Sequence, residues 1–159
     1  MKNLFGKKIL LIICGGIAAY KSLELIRILK KNGTKIKSIL TSNGAKFVTP
    51  LSITSLSQEK VYTDLFDLEN ETEMDHISLS RWADLILVAP ATANTISKLS
   101  YGNSDDLAST VLIASNKQIM LAPAMNVRMW EHESTKKNLN NLNNFHFSFF
   151  QSRYKINVN

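Results

Sequence analysis

Residues 7–33, KKILLIICGGIAAYKSLELIRILKKNG, decide the fold of this chain. An unbroken apolar run from Ile9 to Cys14 leads into two glycines, which predicts a buried strand that ends in a tight turn. Apolar residues then recur at helical spacing as far as Leu29, and Lys30 and Lys31 come shortly before Gly33. This second pattern predicts an amphipathic helix that ends at Gly33.

Similar segments continue along the chain. Further strands are predicted in KIKSILTS, ADLILVAP and KQIMLAPAMN, and a short one in 61–63. Helices are predicted in 43–57, where a proline interrupts them, and in TANTISKLSYG, SDDLASTVLIASN and WEHESTKKNLNNL. Ser104 or Asp105 is the expected cap of the SDDL helix, and the acidic stretch 59–75 is interpreted as a surface connection. Alternating apolar strands and helices predict a parallel sheet covered by helices.

Length and composition set limits on the protein class. A chain of 159 residues with 45% apolar content fits one domain, residues 1–159, with a core of its own. Its longest apolar runs fall far short of the roughly 20 residues that cross a bilayer, and no cleavage pattern follows the first of them. We therefore expect a soluble cytoplasmic protein without a membrane partner.

The cysteine count, the histidine spacing and the distribution of charge argue against three further classes of protein. One cysteine excludes an intrachain disulfide framework, and the three histidines do not have the spacing of zinc ligands, so no metal is expected. The net charge of +6 would suit nucleic acid, but nine of the nineteen Lys and Arg residues precede position 38 without interleaved aromatics. A solvated surface that helps to attract an anionic small molecule is the favoured interpretation.

Four loops are expected at one edge of the sheet. They follow the predicted strands, and ligands of open parallel sheets bind beyond the carboxyl ends of the strands. The loops contain Gly15–Ala18, Thr41–Asn43, Pro90–Thr95 and Pro123–Asn126. Their shared edge is the expected ligand site.

The Gly15-Gly16 turn suits an anion, since glycine allows close approach to backbone amides and the following helix start is electropositive. A plain strand-to-helix turn is the alternative. The G-x-G-x-x-G pattern is absent, and the second strand ends in Thr41-Ser42 rather than in the acidic residue that would hold an adenosine ribose. These features favour a mononucleotide over NAD.

Four other side chains each allow a structural and a functional interpretation. Asn94 and Asn126 follow Pro-Ala segments, where a carboxamide either caps the next helix or binds a heterocycle or carboxylate. His76, beside Asp75, is either an ordinary histidine at the edge of a strand or an acid–base group. Cys14 is expected to pack in the core rather than to perform redox chemistry.

Three stretches together carry a family resemblance. GGIAAYKSLELIR, DHISLSRWADLILVAPATANTISKLSYGNSDDL and LAPAMNVRMW resemble the flavin-dependent homo-oligomeric cysteine decarboxylases, most closely the phosphopantothenoylcysteine decarboxylase domain of bacterial coenzyme A biosynthesis. The resemblance covers about residues 6–145 in the same order. It implies a Rossmann-like (flavodoxin-like) three-layer α/β fold with a parallel sheet flanked by helices.

The resemblance also implies a site. FMN would bind at a subunit contact in a homo-oligomer, a trimer or a dodecamer. His76 matches the active-site base, Asn126 matches the residue that contacts the substrate carboxylate, and Met125 lies beside it in the substrate-binding segment. The positions that match the cofactor-binding residues are Gly15, Gly16, Ile17, Thr41, Ser42, Asn43, Thr92, Ala93, Asn94, Thr95 and Ala124.

The implied reaction is FMN-dependent oxidation of the cysteine thiol of 4'-phosphopantothenoylcysteine to a thioaldehyde, followed by loss of carbon dioxide. In the family, a cysteine on a flap after the Pro-Ala-Met-Asn segment then serves reduction to 4'-phosphopantetheine. Here no cysteine and no Gly-rich flap follow Phe145, so we expect an atypical or truncated flap and an impaired final reduction. No ligase domain is expected, which leaves a separate phosphopantothenate–cysteine ligase as a partner.

Two other functions remain as alternatives. Loss of the flap would leave a catalytically silent FMN-binding oligomeric protein. A decarboxylase of peptide C-terminal cysteines would share the same motifs with a different substrate.

Overall fold

The computed structural model describes residues 4–63, 76–143 and 147–149. Residues 64–75, which include Asp75 and most of the expected surface connection, lie outside the described residues, as does the tail after residue 149. The described strands are β1 (Lys8–Ile13), β2 (Lys35–Leu40), β3 (Val61–Tyr62), β4 (Leu85–Ala91), β5 (Gln118–Pro123) and β6 (Phe147–Phe149). The described α-helices are α1 (Tyr20–Lys31), α2 (Pro50–Ser57), α3 (His76–Trp82), α4 (Ala93–Tyr101), α5 (Leu107–Ala114), α6 (Val127–Glu131) and α7 (Glu133–Asn143).

The strands form one parallel sheet in the order β3-β2-β1-β4-β5-β6. This is the order of a Rossmann sheet, in which the chain moves outward from β1 to one edge and then from β4 to the other. Loops after β1 and β4 therefore diverge to opposite faces, and a crevice opens between them at the carboxyl ends of the strands. The predicted α/β class and parallel sheet are confirmed.

Helices cover both faces of the sheet, as the three-layer prediction requires. On one face, β1 and β2 side chains pack with Ile26 and Leu29 of α1 and Ile53 of α2. On the other face, the core joins β1, β4 and β5 to α3, α4, α5 and α7, with Leu79 and Leu142 completely buried. Buried β1 lies at the centre, which explains why its sequence is a continuous apolar run.

One predicted helix start is wrong by one or two residues. Asp106, rather than Ser104 or Asp105, caps α5: its side chain accepts from the Ser109 amide at 2.7 Å, and the Ser109 hydroxyl accepts from the Asp106 amide at 3.2 Å. This reciprocal pair satisfies two amides that no helical carbonyl reaches. Lys98 contacts both acids, with Nζ 2.6 Å from Asp105 Oδ1 and 2.7 Å from Asp106 Oδ2.

The helix predicted from Trp130 onward is in fact two helices. His132 has extended backbone between α6 and α7, and its Nδ1 accepts from the Ser134 amide at 3.2 Å. Among the described helices α1 is the longest, at 12 residues, and none is long and apolar enough to cross a membrane.

Candidate functional site

The carboxyl ends of β1 and β4 meet at the crevice of the sheet, and the predicted site residues lie around it. β1 pairs with β4 from Ile9–Leu85 to Ile12–Val88, so the two strands end side by side. The Gly15-Gly16 turn follows β1, and Thr92 follows β4. The structure thus brings together two segments that are 76 residues apart, from Gly16 to Thr92.

The glycine turn contains two differently placed residues. A Cβ on Gly15 would lie 2.5 Å from Asn43 Cβ and 2.7 Å from the Asn43 carbonyl carbon, so the β1 and β2 loops touch there. A Cβ on Gly16 would meet nothing within 4 Å. Gly16 precedes a short 3-10 turn, Ile17–Ala19, that continues into α1, and the first amides of a helix have no helical acceptors. The accessible side of Gly16 is therefore suited to an anion.

Thr41 organises the neighbouring loop. Its amide and hydroxyl both donate to the Ile13 carbonyl, at 3.1 and 3.3 Å, and its Oγ1 accepts from the Gly44 amide at 3.0 Å. Thr41 thus fixes the loop against the end of β1, while Ser42 and Asn43 are exposed next to it. Their side chains are available to a ligand at the glycine turn.

The segment after β4 begins α4. Thr92 caps the helix, with Oγ1 accepting from the Thr95 amide at 3.2 Å. Asn94 is exposed in the first turn and is not the cap, so the capping interpretation is wrong for this residue. Its exposed carboxamide is in the first turn of α4 and is available for recognition.

The segment after β5 joins the same edge. The Ala124 amide donates to the Ala91 carbonyl at 3.0 Å, which holds the ends of β4 and β5 together. Asn126 caps α6 through a 2.9 Å bond from the Met129 amide to Oδ1, so here the capping interpretation is confirmed. Asn126 remains exposed, whereas Met125 is partly buried and packs against the core.

Cys14 lies beneath this edge. It is 1% exposed, and the Thr95 hydroxyl donates to its sulfur at 3.2 Å. Burial raises the pKa of the Cys14 thiol to about 11, although hydrogen bonds from Thr95 and the Thr92 backbone oppose the rise. The thiol is therefore protonated near neutral pH, and the packing role expected for Cys14 is confirmed.

His76 is the first residue of α3, the helix that leads into β4. The amino end of the sheet is marked by Asp84, whose amide donates to the Lys8 carbonyl at 2.8 Å. With a rise of 1.5 Å per residue, His76 lies about 9 Å along the helix axis from Trp82, the last residue of α3. No hydrogen bond among the described residues joins His76 to the glycine turn or to Asn126.

A buried serine near the crevice was not predicted. Ser22 of α1 donates to the Ala89 carbonyl of β4 at 2.7 Å, and both residues are buried. Ser22 occupies the buried stripe of α1 together with Ile26 and Leu29. A serine among apolar positions of an amphipathic helix was the available signal, because a buried hydroxyl requires a partner.

The chain matches the model of one protein family along almost its entire length. The family is described as flavoprotein, and the match covers residues 1–158. This chain belongs to the flavoprotein family. Its cofactor class is therefore a flavin.

Individual flavoproteins resemble the chain in sequence or in structure. The coenzyme A biosynthesis bifunctional protein CoaBC of Haemophilus influenzae is 46% identical over 140 residues, which cover 88% of this chain and 35% of that protein. The chain spans about a third of the length of the curated relatives it matches.

Two solved structures share the fold. A PPC decarboxylase mutant complexed with pantothenoylaminoethenethiol has a TM-score of 0.79 and 27% identity, over 91% of this chain and 81% of that chain. The FMN binding protein AtHal3 has a TM-score of 0.82 and 26% identity, over 96% of this chain and 84% of that chain.

The carboxyl edge fits a flavin chemically. The open side of Gly16 suits an anionic group, and the Thr92–Thr95 segment offers a hydroxyl and a carboxamide beside it. Exposed Ile17 adds an apolar surface with 73% of its area accessible. Among the described residues no group of three or more acidic, histidine or cysteine side chains could hold a metal ion.

Proposed function

We propose that this chain catalyses FMN-dependent oxidative decarboxylation of 4'-phosphopantothenoylcysteine on the way to 4'-phosphopantetheine in coenzyme A biosynthesis. The observation that carries the proposal is the meeting of the glycine turn with Thr92–Thr95 at the crevice of a flavoprotein sheet. The relatives support the substrate, since one is named for coenzyme A biosynthesis and a similar PPC decarboxylase mutant holds an enethiol compound.

The cofactor would be held by the loops of the crevice. The amides after Gly16 would bind the phosphate of FMN, because they begin a helix and a Cβ built on Gly16 meets no atom within 4 Å. The remaining cofactor-binding positions would surround the rest of the molecule: Gly15, Ile17, Thr41, Ser42, Asn43, Thr92, Ala93, Asn94, Thr95 and Ala124. FMN rather than another flavin is supported by the FMN binding protein of the same fold.

Three side chains would manage the substrate. His76 would take the proton from the substrate thiol, and Asn126 would orient the carboxylate with Met125 packed beside it. When bound, FMN supplies the two-electron oxidation of the carbon that bears the thiol. The carbon–carboxylate bond then breaks, its electron pair passes to the thioaldehyde, and carbon dioxide and an enethiolate result.

The fate of the enethiolate depends on a thiol. Cys14 is the one cysteine of these 159 residues, and it is buried with a pKa raised to about 11. Its thiol is therefore unsuited to act on a substrate above the crevice. We expect the 159-residue polypeptide, tested alone, to release the enethiol rather than 4'-phosphopantetheine.

Assembly is part of the proposal. We expect residues 1–159 to act as one domain in a homo-oligomer, a trimer or a dodecamer, with a phosphopantothenate–cysteine ligase that supplies the substrate. Exposed apolar side chains near the carboxyl edge support an assembled state, since Ile17 and Tyr20 are 73% and 57% exposed. Light scattering of the purified protein gives the oligomer mass, and a monomer would contradict this assembly.

A turnover assay tests the function. Flavin-loaded protein is incubated with 4'-phosphopantothenoylcysteine, and substrate, enethiol and carbon dioxide are quantified by mass spectrometry. Loss of one carbon dioxide per substrate with accumulation of the enethiol is expected. Tightly bound flavin without substrate loss would contradict the enzymatic proposal and identify a silent flavin-binding protein.

The role of His76 needs its own variant. His76→Asn should abolish turnover and leave FMN affinity unchanged, because the amide cannot take up the proton but keeps a similar size. Loss of FMN binding in this variant would show that His76 is structural. Peptides with C-terminal cysteine serve as the substrate control, and preferential turnover of the peptide would refute the proposed substrate.

A further inference from the structure

The Ser22 hydroxyl links helix α1 to strand β4. It donates to the Ala89 carbonyl at 2.7 Å, over 67 residues of sequence. Ser22 is 3% exposed and Ala89 is 9% exposed, so water does not replace this bond in the folded protein. Both ends belong to the elements that carry the predicted flavin loops.

The carbonyl of Ala89 lies where the sheet is interrupted. Pairing between β1 and β4 ends at Ile12 and Val88, and the register between β4 and β5 shifts between Val88 and Ala91. Pro90, the next residue, has no amide hydrogen to contribute to a ladder. A buried carbonyl at such a point needs a donor from outside the sheet, and Ser22 supplies it.

The bond has a counterpart on the opposite face. There the Thr95 hydroxyl donates to Cys14 Sγ at 3.2 Å, and this contact joins the end of β1 to the first turn of α4. The helix that carries Ser22 follows the glycine turn after the short 3-10 turn Ile17–Ala19, and Ala89 precedes Thr92 by three residues. The Ser22 and Thr95 hydrogen bonds thus hold the same two loops from the two faces of the sheet.

We propose that Ser22 is a positioning residue that sets the separation between the glycine turn and the Thr92–Thr95 segment. This inference rests on the proposed FMN site. FMN carries a phosphate at one end and a ring system at the other, and both ends contribute fully only when the two loops are correctly spaced. Simultaneous binding at two linked points raises affinity, and the gain is lost when the geometry no longer allows it.

Riboflavin makes the effect measurable, because it has the same ring system and lacks the phosphate. Loss of the Ser22 bond should weaken FMN more than riboflavin, so the affinity ratio of the two ligands should fall. A general loss of stability would weaken both ligands equally and leave this ratio unchanged. The ratio therefore separates positioning from a purely structural role.

The experiment compares the full 159-residue protein with Ser22→Ala, after removal of bound flavin. Fluorescence titration gives the dissociation constants of FMN and riboflavin, with folding checked by circular dichroism. Ser57→Ala is the matched control: Ser57 is 1% exposed, and its hydroxyl donates to the Glu59 carbonyl at 3.3 Å after the end of α2. Losing one buried hydrogen bond should lower the ratio about tenfold in Ser22→Ala and leave it unchanged in Ser57→Ala.

An unchanged ratio in Ser22→Ala, or the same fall in both variants, would overturn the positioning role. Failure of the unmodified protein to bind FMN would instead refute the proposed function. Ser22→Cys keeps the size of the side chain and a weak donor, and it should lower the ratio a few-fold. If Ser22→Ala does not fold, this second variant decides, and an unchanged ratio in it overturns the proposal.

Discussion

Replacing Gly16 by alanine tests the flavin site at a position where the added methyl meets no protein atom within 4 Å. The backbone of Gly16 is extended, with φ 176° and ψ 161°, so alanine adopts it without strain. The unfolded chain loses conformational freedom, which favours folding by about 0.4–1 kcal/mol, and alanine is a poorer N-cap than glycine. These effects oppose each other, and we expect a net change in unfolding free energy below about 0.5 kcal/mol.

FMN affinity should respond differently from stability. The methyl group would occupy the space through which a phosphate approaches the first amides of the helix. A loss of at least about 1.4 kcal/mol, or tenfold in the dissociation constant, is expected in a fluorescence titration. Wild-type affinity in Gly16→Ala would refute the assignment of the phosphate to this turn.

Gly15→Ala is the matched comparison, because here the added methyl group should lower the unfolding free energy through a direct clash. Its Cβ would lie 2.5 Å from Asn43 Cβ and 2.8 Å from the Asn43 carbonyl oxygen. Carbon atoms prefer separations of about 3.5–4.0 Å, so the Thr41–Asn43 loop must move by about 1 Å. We expect a loss of about 1–3 kcal/mol in urea denaturation, and unchanged stability would contradict the close packing of the two loops.

Three further predictions concern stability. Asp106→Ala, which removes the α5 cap, should cost about 1–2 kcal/mol in urea denaturation, whereas Asp105→Ala should cost less than about 0.5 kcal/mol; equal losses would argue against the cap. Burial raises the pKa of Cys14 from 9.0 to about 11, so the unfolded thiol ionises first and stability should fall by up to about 3 kcal/mol between these pH values. Cys14→Ser should not show this fall in stability between the two pH values. Identical pH profiles of the two proteins would refute the raised pKa of Cys14. Ser38→Ala removes a buried hydroxyl without a partner among the described residues, so the melting temperature should stay or rise; a clear decrease would reveal a hydrogen bond.

The central elements of the fold were predictable because their sequences carry strong patterns. β1 and β4 are buried on both faces, which requires unbroken apolar runs, and α1 is amphipathic because one side packs on the sheet. The shared edge of the predicted loops follows from the parallel direction of the strands. The crevice between β1 and β4 could be located only once the strand order was known.

Details that depend on side-chain competition were less predictable. Ser104, Asp105 and Asp106 are all good capping residues, and the choice of Asp106 depends on the Ser109 amide and hydroxyl that it reaches. Asn94 and Asn126 occupy similar sequence positions, yet Thr92 precedes Asn94 and takes the capping role there. Local sequence does not reveal which of two neighbouring side-chain oxygens will accept the hydrogen bond from a helix amide.

The burial of Cys14 makes this protein suitable for site-specific labelling. A protonated thiol with 1% exposure reacts slowly with maleimides near neutral pH. A cysteine introduced at exposed Lys46, which follows Asn43 by three residues and lies outside the proposed cofactor-binding positions, should therefore be modified selectively, without prior removal of the native one. A fluorophore at Lys46 would lie close to the loop after β2 and report flavin entry by energy transfer in real time.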